Sequence, residues 1–512
     1  MNRKKAVVKT AITGIFSSLL TTILGFITQS LFVKNLGIER SGINGTLTSI
    51  IGILTMADFG VSTAVALNLY KPLAKEQKST IAAIMQFYHK ACIAIGSFVI
   101  IGSMAILPFI SHVIGETSVT DNLYIIFALF AVSAAFTYFL NYRRVLLQAD
   151  QKAFIINRVM TITLSLTYVA KIAILIILKD YYLFVLTTVV FKIAENLVIS
   201  LYVKKNYPYI SKKRVLEKSI KTDIAKKMYA SVYHNAGGYI VTSTDNLLLT
   251  RFFGVASTGI YANYLMITTA VGNLTYQFFS GISASMGNLL TKNGKDYLFI
   301  VTKRVTLVST LVYTITAIAT FYCLNPFIQV WLGDDYIFNQ FISLLLATNF
   351  LLSGLRQPSL GVLNAAGIVY ENRFIPLAEA AINLLSSVIL AKTLGIPGVF
   401  LGTIISNLFL HLYAYPKYAF KTVLNKGRFV YYKILAKNLL FYSVALILVA
   451  PFDRLTTPLS PMLRILILGV SSIIIAGLLF LLFFFKTEEF AYFRALSKEK
   501  LTRRRENKTT NA

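Results

Sequence analysis

Charged side chains and cysteines are scarce in this chain, and long hydrophilic stretches are scarcer still. Of its 512 residues only 14% are Asp, Glu, Lys or Arg, against 56% hydrophobic, and the mean hydropathy is +0.67. A water-soluble domain of this length needs far more polar side chains to cover its surface, so that class is excluded. The two cysteines, Cys92 and Cys323, lie far apart in apolar stretches, without any CxxC or His/Cys spacing. Neither a disulfide framework nor a zinc site follows, and both read as small buried hydrophobes. No GxxxxGK[ST] stretch is present, so the sequence carries no nucleotide motor of that kind, and no cofactor or metal is expected. Acidic residues are the scarcest charged class, 21 against 50 Lys plus Arg, for a formal net charge of +29. That balance would suit nucleic acid, but the placement of the charges points elsewhere.

What is abundant is apolar sequence, in runs of about 20 residues that each cross about 30 Å of hydrocarbon. The windows predict about fourteen spans, near residues 11–33, 43–70, 91–114, 119–141, 153–178, 181–203, 228–250, 258–290, 300–323, 337–356, 374–395, 397–416, 434–452 and 463–485. An interfacial segment, Ser79–Lys90, is expected before the third. Arg3, Lys4 and Lys5 lead into an apolar stretch with no A-x-A cleavage pattern, which reads as an uncleaved first span. Alternate loops carry about 41 and about 7 Lys plus Arg, with Lys171 and Lys192 inside spans. An even number of spans, fourteen, with both termini cytoplasmic explains this asymmetry in a multi-pass membrane protein. The basic loops then set topology and meet anionic lipid headgroups, and nucleic acid drops out as a partner. No loop exceeds about twenty residues, so function must reside in the spans and their connectors.

The chain also repeats itself. Lys34–Ile43 (KNLGIERSGI) joins the first two expected spans, and Arg251–Ile260 (RFFGVASTGI) joins the seventh and eighth, 217 positions later. Val145–Ala149 (VLLQA) and Val362–Ala366 (VLNAA) match at the same offset. The expected fold is therefore an all-α polytopic membrane protein with two six-helix lobes related by a pseudo-twofold along the membrane normal, plus two C-terminal helices. The divisions are 1–205 for the N-lobe, 206–227 for a basic cytoplasmic linker, 228–420 for the C-lobe, 421–485 for the last two spans and 486–512 for a basic tail. Gly37 and Gly254 follow span ends, where a left-handed residue closes a helix.

At these residues the sequence resembles the polysaccharide flippases (Wzx-type) of the multidrug/oligosaccharidyl-lipid/polysaccharide exporter superfamily. The stretches that carry the resemblance are His234–Asn246 (HNAGGYIVTSTDN), Arg251–Gly254, Gly259–Tyr264 (GIYANY), Trp331–Gly333, Arg356–Pro358 and Gly395–Thr403 (GIPGVFLGT). It spans nearly the whole chain through loose motifs. It implies a V-shaped cavity between the lobes and transfer of an undecaprenyl-diphosphate-linked oligosaccharide to the outer leaflet for surface polysaccharide biosynthesis. The implied partners are that lipid-linked oligosaccharide, membrane lipids, and the polysaccharide polymerase and glycosyltransferases.

A charge at the bilayer centre costs about 2.5–3.5 kcal/mol, so each one within a span needs a reason. Lys192 and Glu195 lie midway through the sixth expected span at i, i+3, on one helix face. They form either a structural ion pair or a cavity-lining pair whose lysine meets a diphosphate. Asp58 lies mid-span in the second, Asp245 in the outer half of the seventh and His234 in its inner half. His234 and Asp245 are eleven residues apart, three helical turns, and share a face that lines a cavity or bonds a neighbouring helix. Lys171 either snorkels to the outer surface or lines the path, and Glu379 in the eleventh span has no evident partner. Arg143, Arg144, Arg356 and Arg373 border the cytoplasmic ends of equivalent spans. The positive-inside rule accounts for them; they also stand where a diphosphate headgroup would arrive, and guanidinium grips phosphate bidentately. A cation-coupled drug exporter and a lipid II flippase are the rival transport readings. A membrane glycosyltransferase or polymerase would need Asp334 and Asp335 as an acidic site, whereas Asp at that position is expected to cap the next helix.

Overall fold

The computed structural model describes residues 3–58, 60–211, 214–368 and 371–497, nearly all of them helical and none in a strand. Lipid leaves backbone polar groups no water to bond, so a chain this apolar satisfies them within helices. In order these are α1 (Arg3–Leu36), α2 (Ile38–Thr55), α3 (Val61–Ala74), α4 (Lys78–Ile106), α5 (Ile110–Ile114), α6 (Leu123–Asn141), α7 (Arg144–Ala149), α8 (Ala153–Ile177) and α9 (Tyr181–Asn206). There follow α10 (Lys218–Trp331), α11 (Gln340–Leu355), α12 (Gln357–Ala366), α13 (Ile375–Leu394), α14 (Ile396–Phe409), a π-helix (Leu410–Val423), α15 (Arg428–Thr456) and α16 (Pro461–Phe484). Within α10, Gly254 (φ 79°) and Gly294 (φ 78°) interrupt regular helical geometry.

Among the described residues ten helical stretches are long and apolar enough to cross a bilayer. They coincide with ten of the expected spans, and each of the other four has a local cause. The second is cut by the turn Met56–Asp58 into α2 and α3. The seventh and eighth lie in α10, where polar residues such as Ser243, Thr244, Asp245 and Asn246 dilute the apolar run. The tenth is α11, of only 16 residues. Ser79–Lys90, expected at the interface, is instead the start of α4, with Ile81, Ile84, Met85 and Tyr88 buried in an apolar core beside Val65, Leu146 and Val203. Its apolar positions recur at helical spacing, and that face finds α3 and α7 rather than a lipid surface. Asp334 and Asp335 open a short 3-10 turn; the residue that caps α11 is Asn339, whose side chain accepts from the Phe341 N–H.

The chain divides into two compact units, residues 1–263 with 373–399, and residues 264–372 with 400–512. In the first, α1 packs on α8, α6 on both α4 and α9, and α3 on α4. In the second, α15 packs on α16, and the π-helix lies against α12 and α15.

The repeated motif explains how the first unit is joined internally. Gly37 (φ 88°) and Gly254 (φ 79°) take the same left-sided backbone conformation, which costs a residue with a Cβ and costs glycine little. Five residues beyond each lies Gly42 or Gly259, and these two meet. A Cβ on Gly42 would stand 1.7 Å from the Val255 carbonyl oxygen, and one on Gly259 would stand 2.2 Å from that of Ile38. Hydrogen bonds flank the contact: Thr46 to Thr250, Thr250 to Thr258, Asn246 to Ser49, and Gln29 to both Asn263 and Ser41. Small residues and interhelical hydrogen bonds are what hold helices together where lipid competes for every apolar face. At the end of the same helix pair, Arg40 bonds Asp121 at 2.6 Å, and Glu39 accepts from the Thr117 hydroxyl and the Ser118 N–H. The Thr117 bond leads in holding the Glu39 carboxyl below its ordinary range.

Gly42→Ala and Gly259→Ala are each expected to cost about 3 kcal/mol or more, because a backbone carbonyl cannot move aside as a side chain can. Gly469→Ala, whose added methyl meets nothing within 4 Å, should stay within about 1 kcal/mol of the parent. Thermal unfolding of the three variants in detergent checks the order, and equal midpoints would contradict the close-contact account.

Candidate functional site

Buried charge is concentrated, among the described residues, where α7 meets α9 in the first unit. Glu195 is 1% exposed. Its two carboxylate oxygens are divided between two cations, Arg144 Nη1 at 2.9 Å and Lys192 Nζ at 3.2 Å. The local structure places them simply. Lys192 and Glu195 share a face of α9 at i, i+3, and Arg144 opens α7 after the turn that ends α6. Glu195 lies eleven residues before the end of α9, about 16 Å along the axis from the Lys204–Lys205 end. The guanidinium also donates to Met160 Sδ on α8, so three helices fix it.

Two cations on one carboxylate leave a local surplus of one positive charge. A lone buried ion would cost far more than a bonded pair, so the two buried members, Arg144 and Glu195, tolerate burial only while they stay together. The two cations differ in access: the Lys192 side chain is 35% exposed, the Arg144 side chain 16%. Lys192 is thus the member able to turn toward an incoming anion while Arg144 continues to neutralise Glu195. Arg143, next in the chain, serves a different end: it donates to the carbonyl and hydroxyl of Ser200 and lies over the Tyr142 ring. It ties the α6–α7 turn to α9.

The other candidates in this unit do not join the cluster. Asp58 ends the turn that breaks the second span, with one carboxylate oxygen buried and unbonded among the described residues. It lies close to Tyr88, Cys92 and Tyr138. Lys171 is half-buried with its ammonium 4.3 Å from the Phe184 ring centre, a cation-π contact, and it forms no ion pair among the described residues. Asp245 is buried in α10 close to Tyr261, and Glu379 is buried in α13 one turn from the buried Asn383. Arg373 belongs to this unit too and lies over the Phe374 ring. The side chain of His234 lies outside the described residues.

Arg356 belongs to the second unit, at the junction of α11 and α12. It borders a cavity of about 290 Å³ that is lined also by Tyr276, Phe279, Met286, Gln357 and Asn364. Behind it a buried histidine braces the junction. The Leu352 carbonyl can only accept, so His411 Nε2 carries the proton that reaches it at 3.0 Å, and Nδ1 accepts from the Tyr431 hydroxyl. His411 stands on the π-helix, a geometry with no periodic signature in the sequence. Sequence reasoning passed over it, as it did the Arg144–Glu195 contact.

No protein-family model matches the sequence, and no curated protein matches it. Solved structures do match. The chain superposes on lipid II flippase MurJ in an inward closed conformation with a TM-score of 0.66 at 13% identity, covering 92% of this chain and 98% of that one. An inward-facing multidrug-resistance MATE-family transporter of the MOP superfamily gives a TM-score of 0.61 at 15% identity, covering 78% and 94%. A MATE protein in complex with MaL6 gives 0.55 at 15% identity, covering 85% and 98%. Identities this low establish fold: the chain has the all-α polytopic fold of these transporters.

Glu195→Ala is expected to destabilise the protein by about 3 kcal/mol, since it strands the buried Arg144 guanidinium without its carboxylate. Lys192→Ala should cost less than about 1 kcal/mol, because its half-exposed ammonium leaves no unpaired charge behind. Denaturation of both variants in the same detergent decides it, and the reverse order would contradict the arrangement of the cluster.

Proposed function

We propose that this protein is a non-enzymatic membrane transporter of the MOP superfamily that moves an anionic lipid-linked glycan between leaflets. Its substrate is an undecaprenyl-diphosphate-linked oligosaccharide repeat unit, taken from the cytoplasmic to the outer leaflet of a bacterial cytoplasmic membrane for surface polysaccharide assembly. The termini are then cytoplasmic, and the six-span repeats, 1–205 and 228–420, form the two lobes. Glycosyltransferases would supply the substrate and a polymerase would consume it.

The observation that carries this reading is the Arg144–Glu195–Lys192 cluster, with its surplus positive charge and its half-exposed lysine. A phosphate group fits such a site through charge-assisted hydrogen bonds, while a cationic drug would meet repulsion there. Arg356 at its cavity offers a second guanidinium for the same chemistry. Likeness in fold to a lipid II flippase favours one alternative within the same class, lipid II itself as the cargo. The glycan would pass along the polar interior while the prenyl chain stays in lipid, which avoids moving the long apolar tail through water.

The purified protein in liposomes, loaded with fluorescent undecaprenyl-diphosphate oligosaccharide, should make the inner-leaflet label progressively accessible to an impermeant quencher. Empty liposomes should not. Absence of protein-dependent flipping, together with export of a cationic dye under a cation gradient, would replace this function with drug export. Faster flipping of lipid II than of the oligosaccharide lipid would select the alternative cargo.

A further inference from the structure

Beyond α16 the chain turns back on the second unit, and this return encloses a cavity that the transport reading leaves unused. Expected as a basic tail, the described part of this segment is neither uniformly basic nor loose. Thr487 accepts from the Phe490 N–H and starts a helical stretch that runs through residue 497. Glu488 and Glu489 occupy its first turn, where the helix dipole favours them. Glu489 bonds Lys303 Nζ at 2.6 Å, Tyr492 lies 3.5 Å beneath the Arg304 guanidinium, and Phe490 packs on Phe480 and Phe485. The segment is therefore fastened to the start of the span that ends at Trp331.

The cavity so enclosed measures about 120 Å³ and is lined by Lys303, Lys437, Asn438, Thr306, Glu489 and Phe484. Its lining combines apolar Leu307, Ile434 and Phe484 with polar and charged side chains. Two lysines face one carboxylate, and they are unequal. Lys303 is taken up by Glu489, with Glu488 at 3.5 Å. Lys437 has no carboxylate within bonding distance among the described residues; its ammonium stands 4.4 Å from the Phe484 ring centre. The starts of α15 and of the span from Gly294, and the end of α16, all border it, so the cavity opens at the ends of membrane helices. An ammonium with no carboxylate in bonding distance, an amide-bearing neighbour and apolar lining side chains at the ends of membrane helices together describe a receptor for a phosphate that carries a lipid.

We infer that this cavity binds the phosphate of an anionic membrane-lipid headgroup. Lys437 takes the charge, the Asn438 amide donates a hydrogen bond, and Lys303 is shared with Glu489, whose carboxylate sets an upper limit on affinity by like-charge repulsion; the Thr306 hydroxyl is already committed to the Thr302 carbonyl. The bound headgroup would rivet the returning segment to the membrane surface. Free phosphate offers the same oxygens without the apolar part, so the two sources are separable.

The test is native mass spectrometry of the full-length protein in detergent, titrated with phosphatidylglycerol, with phosphatidylcholine of the same acyl chains, and with inorganic phosphate. Phosphatidylglycerol should be retained at least fivefold more tightly than phosphatidylcholine. Lys437→Gln should lose about fivefold of that affinity, the effect of one cation near a lipid surface, and Glu489→Gln should gain a few-fold. Lys433→Gln, on the same helix but exposed and outside the lining, should change nothing. Equal losses in Lys433→Gln and Lys437→Gln, or no gain in Glu489→Gln with thermal midpoints unchanged, would overturn the site. Inorganic phosphate matching phosphatidylglycerol at equal concentration would overturn the lipid assignment.

Discussion

Backbone meets backbone at Gly42 and Gly259, and the first unit is organised around that contact. In a bilayer, apolar side chains gain nothing by leaving lipid for one another, so helices need close approach and hydrogen bonds to associate specifically. The glycine pair supplies the approach, leaving no room for a Cβ on either side. The Thr46–Thr250–Thr258 ladder and the Gln29 and Asn246 bonds supply the polar part. Because the two glycines occupy the same place in two copies of one motif, the repeat is also the joint. Gly37 and Gly254, each with positive φ, turn the chain into that joint from either copy.

Away from the joint, the interior of the first unit carries buried charge. A buried ion pair seldom improves on well-packed hydrophobes, so its presence asks for another cause. In the Arg144–Glu195–Lys192 cluster the stoichiometry suggests one: a lone carboxylate needs only one cation, and it has two. The buried guanidinium bonds one carboxylate oxygen and the half-exposed ammonium bonds the other, and that division of labour is what the proposed anion site draws on. Arg143 supports it indirectly by fastening the α6–α7 turn to α9 through Ser200.

Much of this was legible from residue patterns alone. Apolar runs of bilayer length announced the helices, the spacing of Lys192 and Glu195 announced their pairing, and the glycines of the repeat announced the two turns. The features that escaped depend on partners distant in sequence or on geometry without a period. Nothing local to Arg144 says that Glu195, some fifty positions on, will be its partner. Asp58 read as a mid-span residue because an apolar window averages over the turn at Met56–Asp58 that breaks the helix. Ser79–Lys90 read as interfacial because its charges and hydroxyls lower the mean hydropathy, although its apolar positions recur at helical spacing and are buried. Asn339 outcompeted Asp334 and Asp335 as a cap because the 3-10 turn places it, not them, at the start of α11.

The central claim is that the surplus cation of the buried cluster receives the phosphate of the cargo. Its most direct test is the initial rate of glycolipid flipping by Lys192→Gln in liposomes, at protein content and thermal midpoint matched to the parent, with Lys192→Arg alongside. The account predicts at least a tenfold loss in Lys192→Gln and substantial retention in Lys192→Arg, which keeps the charge. Parent-like flipping by Lys192→Gln would contradict it and reduce the cluster to a structural ion pair.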